Sequence, residues 1–244
     1  MATVTYRAAQ RPRAYVRVKG IDAEEFLQRM LSNDVTQGDM VDALLLTSKA
    51  RLIAPLRVWR RDADDFLLLT EPELGETVRT TLLRARFAAK CEIEPETHTS
   101  MLVWSVEEGF ARAREEVDAH VEPNVDAAEL ERLRIEQGVP AWGKELDDSV
   151  LPAEAGLDET HISFTKGCYP GQEPIARLHY RGHVNRRLRL LEVESAQPGD
   201  EIRVGDKVVG RVTSAVPRRA LGYVRVDVSD DADVRIRGAR ARLH

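Results

Sequence analysis

The residues best suited to chemistry lie in one stretch, Lys166-Gly167-Cys168-Tyr169-Pro170-Gly171-Gln172-Glu173. A reactive thiolate needs positive charge nearby and partial exposure. Cys168 stands two residues from Lys166 in a run broken by Gly167, Pro170 and Gly171, which predicts an open turn and a reactive thiol. The glycines let backbone N–H groups approach a ligand, and Gln172 and Glu173 add an amide and a carboxylate suited to the donor and acceptor edge of a heterocycle. A single cysteine in such a turn is also compatible with a purely structural role, and the residues alone leave both readings open. Cys91 is different: in Cys91-Glu92-Ile93-Glu94 the alternation puts it on one face with Ile93, where a free cysteine behaves as a small hydrophobe.

The charge distribution points to the same end of the chain. Residues 1–160 carry 20 Lys and Arg against 31 Asp and Glu, a balance of −11, whereas residues 161–244 carry 16 against 10, a balance of +6. Between Lys166 and Arg189 the bases Lys166, Arg177, Arg181, Arg186, Arg187 and Arg189 face the single acid Glu173, with His179 and His183 interleaved. Such a segment suits phosphate, polycarboxylate or nucleic acid, or it is a solvated face balanced by the acidic first half. His179 and His183 are four apart, but Gly182 interrupts the helix that would align them as ligands, so no metal site is expected.

Composition excludes several classes. Across 244 residues, 43% hydrophobic and 32% charged, the profile is that of a globular protein with a sizeable core. The longest apolar runs are far shorter than the ~20 residues that span a bilayer, and Met1–Gln10 lacks the apolar centre of a signal peptide. Two cysteines are too few for a disulfide framework, so a cytoplasmic protein without membrane contact is expected.

The elements that must position these groups are mixed. A short strand is predicted at Ala14–Val18, then a helix from Asp22 with Asp22 and Glu25 as an acidic capping box and Phe26, Leu27, Met30 and Leu31 on one face. Strands at Val41–Thr47, Leu52–Trp59 and Asp65–Thr70 read as an antiparallel set, a helical stretch runs from Pro72 to Phe87, and Cys91–Glu94 and Met101–Val106 are further strands. A second helix starts at Asp126 and stops at Gly138 before Pro140. Beyond Leu188, five short runs joined by Gly, Pro and Asp turns predict a small β-barrel. The fold class is α+β, with a boundary near Tyr180–Asn185 separating residues 1–180 from a barrel at 181–244.

The octapeptide resembles the signature Lys-Gly-Cys-Tyr-x-Gly-Gln-Glu of folate-binding YgfZ-type proteins, relatives of the glycine cleavage T-protein, an aminomethyltransferase; all seven fixed positions match. Leu31-Ser32-Asn33-Asp34-Val35 is similar to the superfamily's Leu-x-Asn-Asp-Val stretch, Arg134-Ile135-Glu136-Gln137-Gly138-Val139-Pro140 to its Arg-x-Glu-x-Gly-x-Pro helix end, and Pro152–Leu157 also fits. The resemblance implies a T-protein-like fold with a ferredoxin-like element, a C-terminal β-barrel and a folate cleft between them. It implies tetrahydrofolate or a derivative as cofactor, with Glu136 holding the pterin and Asn33, Asp34, Lys166, Gly167, Tyr169, Gly171, Gln172, Glu173 and Arg177 as further binding residues. A carboxylate suits the pterin because it accepts two parallel hydrogen bonds from the ring amine and N–H.

One departure qualifies the activity. Aminomethyltransferases carry an acidic pair on the second strand of the first hairpin, where Ala54 and Pro55 stand here, and neither residue moves a proton. The expectation is therefore a folate-binding factor that supports assembly or repair of iron-sulfur clusters in client enzymes, including enzymes of tRNA modification, with Cys168 as its functional thiol. Its partners are expected to be folate and iron-sulfur client or assembly proteins, without direct nucleic-acid binding. The alternatives are a one-carbon transferase acting on another substrate, and a scaffold that acts only through its basic surface.

Overall fold

The computed structural model describes residues 5–244; the first four residues of the stretch Met1–Gln10, read above for an apolar leader, lie outside it. In chain order come β1 (Tyr6–Gln10), β2 (Ala14–Lys19), α1 (Ala23–Met30), β3 (Met40–Leu46), β4 (Leu52–Asp62) and β5 (Asp65–Thr70). A 3-10 turn leads into α2 (Gly75–Ala85), and β6 (Glu92–Glu96), β7 (Ser100–Ser105) and β8 (Arg114–Val117) precede α3 (Ala127–Glu136). After α4 (Gln172–Arg181) the chain forms β9 (Arg186–Val193), β10 (Glu201–Val204), β11 (Lys207–Val216), β12 (Arg219–Arg225), β13 (Val234–Ile236) and β14 (Ala239–Leu243). These elements form two compact units, one of residues 12–99 and 147–183, the other of the chain up to Arg11 with 100–146 and 184–244. Neither unit is contiguous in sequence. The stretch Tyr180–Asn185, expected as a boundary, comprises the last two residues of α4 and the segment leading to β9.

In the first unit an antiparallel sheet runs β3-β4-β5-β2-β6, a ferredoxin-like order extended by one edge strand. Strand β4 alternates buried and half-buried residues, as a sheet with one packed face must. Helix α1 buries Ala23, Phe26 and Leu27, and α2 buries Val78 and Leu82. Asp22 does not form the expected capping box, because its Oδ2 accepts the amide of Lys90 at 2.7 Å and so ties the start of α1 to the segment before β6.

The outer edge of β3 is closed by the segment that leaves α1. The Ser32 amide donates to the Leu44 carbonyl at 3.1 Å, and the Ser32 hydroxyl accepts the Leu44 amide at 2.8 Å while donating to the carbonyl of His161 at 2.6 Å. Ser32 is fully buried, and Ser163 adds a bond to its carbonyl. The stretch preceding the octapeptide is thereby stitched to the sheet through one hydroxyl, which both satisfies and uses it.

In the second unit β1-β7-β8 form a small sheet, whose Trp104 packs edge-on against Phe110, and α3 opens as predicted, with Asp126 Oδ1 accepting the Glu129 amide at 2.8 Å. The last six strands close a barrel in the order β10-β11-β12-β9-β14-β13. Five were legible in the sequence. The sixth, Ala239-Arg240-Ala241-Arg242-Leu243, has no strand-favouring composition, and pairing with β9 and β13 makes it a strand.

Candidate functional site

The base of the octapeptide loop is an ammonium held by carbonyls. Lys166 Nζ donates to the carbonyls of Gln28 and Leu31 at 2.7 Å each and of Asn33 at 2.9 Å, so its three protons are all taken at the C-terminal end of α1, where the helix dipole favours a cation. Burial pulls this group down to about 8, with Asp34 opposing. The sequence spacing put the Lys166 charge beside Cys168. In the structure all three ammonium protons are directed into the fold.

Two further residues fix the loop. Tyr169 is buried, its phenol pushed up to about 12 by loss of water, and its ring lies 5.5 Å from the Lys166 ammonium, within cation–π range. Gly171 adopts φ +86°, and a Cβ there would meet the Thr47 carbonyl oxygen at 2.6 Å and Ala50 Cα at 3.0 Å. The β3–β4 turn thus presses against the entry to α4 and only glycine fits. Between these fixtures Gly167 and Cys168 are exposed, with open space around Gly167. The loop therefore presents a thiol on a crest whose flanks are anchored.

Helix α4 starts directly after this loop. The sequence predicts an open turn only up to Gly171 and no element over Gln172–Arg181; Pro174 stands in the first turn of the helix, where a proline costs little, as those N–H groups lack partners anyway. Gln172 is half-buried, and Glu173 and Arg177 are exposed. Asn33 and Asp34 are brought against Lys166, but their side chains are used internally. Asn33 Nδ2 donates to the Asp42 and Thr160 carbonyls at 2.8 and 3.1 Å, and the Asp34 carboxylate accepts from Thr36, Gln28 and Gln37. The Thr36 hydroxyl, with the Thr36 amide, Gln28 and Gln37, holds the Asp34 carboxyl at about 2.

Glu136 belongs to the other unit, on the last turn of α3. Its neighbour Arg134 faces inward: it donates to Glu145 Oε2 at 2.9 Å, to the Val139 carbonyl at 3.0 Å and to the Ser214 hydroxyl of the barrel at 2.9 Å. Ser214 donates in turn to Glu145 Oε1 at 2.6 Å, and Tyr223 donates to the Glu145 carbonyl at 2.8 Å. Arg134 and Glu145 thus join α3 to β11 and β12. Glu136 is half-exposed and bonded to Arg132 one turn back at 2.8 Å, so its carboxylate faces outward with acceptor capacity to spare.

Sequence reading missed a cluster in the first unit. Asp42 and Arg57 are directly opposite in the β3–β4 ladder and paired bidentately at 2.7 and 2.9 Å, while His161 Nδ1 lies 2.7 Å from the Thr160 hydroxyl. Burial would raise the Asp42 carboxyl, but Arg57, with His161 and Arg13, leaves it below its ordinary value. Burial also lowers His161, against the pull of Asp42. An acid and a base at facing positions of two apolar strands were the available signal.

Comparison with known proteins agrees with this architecture. Residues 185–244 match the family described as CAF17, C-terminal beta-barrel domain. The chain is 25% identical to the tRNA-modifying protein YgfZ of Shigella dysenteriae, over 95% of this chain and 89% of the relative. To YgfZ of Edwardsiella ictaluri it is 41% identical over 33% and 26%. It is 26% identical to the mouse mitochondrial iron-sulfur cluster assembly factor IBA57, over 79% and 68%. The fold matches the glycine cleavage system aminomethyltransferase T of Bartonella henselae with TM-score 0.85, covering 99% of this chain and 85% of that one at 18% identity.

The chain is similar to YgfZ-type proteins over nearly its whole length and has the fold of an aminomethyltransferase T. The expected fold class, α+β with a ferredoxin-like element and a C-terminal barrel, is what the chain shows. Among the described residues no helix is long and apolar enough to cross a membrane.

Proposed function

We propose that this protein is a folate-binding factor supporting iron-sulfur cluster assembly or repair in client enzymes, with Cys168 as the group that meets the client or the cluster it carries. The observation that carries the reading is the presentation of that thiol: exposed, between a buried lysine and tyrosine below and a glycine wedge beside it. Its relatives include proteins named for tRNA modification and for iron-sulfur cluster assembly, which supports a role in that chemistry. What supports a reduced folate is Glu136, whose outward carboxylate can accept paired N–H groups from a pterin ring. Bound tetrahydrofolate supplies a carrier for one-carbon units; the chain's own residues bind and orient it.

Two measurements test the proposal. Tetrahydrofolate at ~100 times its dissociation constant should stabilise the fold by about 2.7 kcal/mol, and an unmoved melting temperature with the free, formyl and methylene forms removes folate from the reading. Cys168→Ala should fold and bind folate normally yet fail to restore iron-sulfur enzyme activity in a strain lacking the protein. Full complementation would make the thiol structural.

A transferase remains the second reading because of one observation. Ala54 and Pro55 hold no acid, but Asp42 on the neighbouring strand faces Arg57 and His161 and could serve as one. Formation of methylene-tetrahydrofolate from an aminomethylated carrier, abolished by Asp42→Asn, would favour it.

A further inference from the structure

The exposed face of α4 carries an arrangement that the charge pattern alone did not disclose. Phe164, fifteen positions upstream in the loop, stacks on His179 with ring centroids 3.9 Å apart and planes 25° from parallel. Tyr180 meets both rings edge-on, at 4.8 Å from His179 and 6.4 Å from Phe164, and is 69% exposed. Arg177 and Arg181 lie three before and one after Tyr180, so all three share one side of the helix, and both guanidiniums are exposed. Glu173, four residues before Arg177, is the acid of that side, and His183 follows the helix end. Lys166 adds nothing to this face, since its ammonium is buried in carbonyls.

We propose, contrary to the expectation drawn from the sequence, that this aromatic and arginine face binds single-stranded nucleic acid. Free aromatic rings flanked by arginines are what an unpaired strand requires: bases stack on the rings whatever their identity, and the guanidiniums meet phosphates. A folate tail would use the arginines but not the ring cluster, and a protein partner would not require cations beside the exposed ring. The inference stands apart from the folate reading and does not depend on Cys168 or Glu136.

The test is fluorescence anisotropy of the intact protein with labelled oligouridylate and oligothymidylate of about 12 nucleotides. Saturable binding is expected, weakened roughly 5- to 100-fold by Tyr180→Ala and retained by Tyr180→Phe, because the ring face and not the hydroxyl makes the contact. Arg177→Ala with Arg181→Ala should lower the slope of log affinity against log salt by about 1.4, two phosphate contacts on a single strand. All these side chains are exposed, and an unchanged melting temperature confirms that the variants fold. Preference for the uridylate assigns RNA, and preference for the thymidylate assigns DNA. The proposal is overturned by no saturable binding at about 50 mM salt, by wild-type affinity in Tyr180→Ala, or by equal competition from a duplex or an oligoglutamate peptide, which reads as charge alone.

Discussion

Gly171 lies so close to Thr47 that a single added methyl group would stand 2.6 Å from the Thr47 carbonyl oxygen. Both groups are backbone at the point of approach, so neither side chain is free to relieve the clash. Gly171→Ala also asks an L residue to hold φ +86°, which alone costs about 1–2 kcal/mol. The variant should lose at least that much in urea unfolding, with faster alkylation of buried Cys91 only if the sheet opens too. A stability within about 0.5 kcal/mol of the parent would mean that the turn yields freely.

The two cysteines should separate cleanly. Burial raises the Cys91 thiol and shields it, whereas Cys168 is exposed. Iodoacetamide followed by peptide mapping should therefore mark Cys168 first. Bound folate should slow that reaction if the ligand covers the crest; equal labelling of both sites in the native state would contradict the anchored loop described above.

Two acids, Glu136 on the last turn of α3 and Glu145 beyond it, should respond differently. Glu145 is fully buried and paired with Arg134, so Glu145→Ala leaves that guanidinium with Glu131 alone and strips the Ser214 hydroxyl of its acceptor, and should cost about 1–3 kcal/mol. Glu136→Ala removes a surface acid and should shift stability by less than about 0.5 kcal/mol while weakening folate binding by on the order of 1.5–3 kcal/mol. Unchanged affinity for tetrahydrofolate would move the pterin elsewhere.

Acid should loosen the first unit in a defined window. Thr36 and its companions hold Asp34, and Arg17 with Arg61 holds Asp65, at about 2 against an ordinary 3.8. A carboxyl lowered by folding contributes stability that is complete above 3.8 and is lost as pH falls through about 2, because the unfolded chain takes up the proton first. The melting temperature should drop between pH 4 and 2, and Asp65→Asn with Asp34→Asn should flatten that part of the curve. A drop of the same size in the double variant would assign the acid sensitivity to other groups.

Much of the fold was legible because its signals are local. The alternation in Leu52–Trp59, the Asp126–Glu129 cap and the turn-punctuated runs after Leu188 each fix an element within a few residues. What the sequence concealed is non-local. The aromatic stack joins Phe164 to His179, the Lys166 ammonium reaches back more than 130 positions to α1, and Asp42 meets Arg57 only through strand register. Helix α4 was hidden for a different reason: its Gly and Pro residues read as a breaker, yet they sit where a helix begins.

The chain passes between its two compact units at residues 11–12, 99–100, 146–147 and 183–184, and this fourfold crossing governs how the molecule can be taken apart. Strand β1 leaves synthesis without its partner β7, which emerges some ninety residues later, and the first unit must await α4. The other unit is complete only later still, when the barrel strands emerge, so neither matures as a contiguous stretch in the way that domains in series do. One protease cut at any crossing leaves each half still tethered or split, so no single nick liberates an intact half.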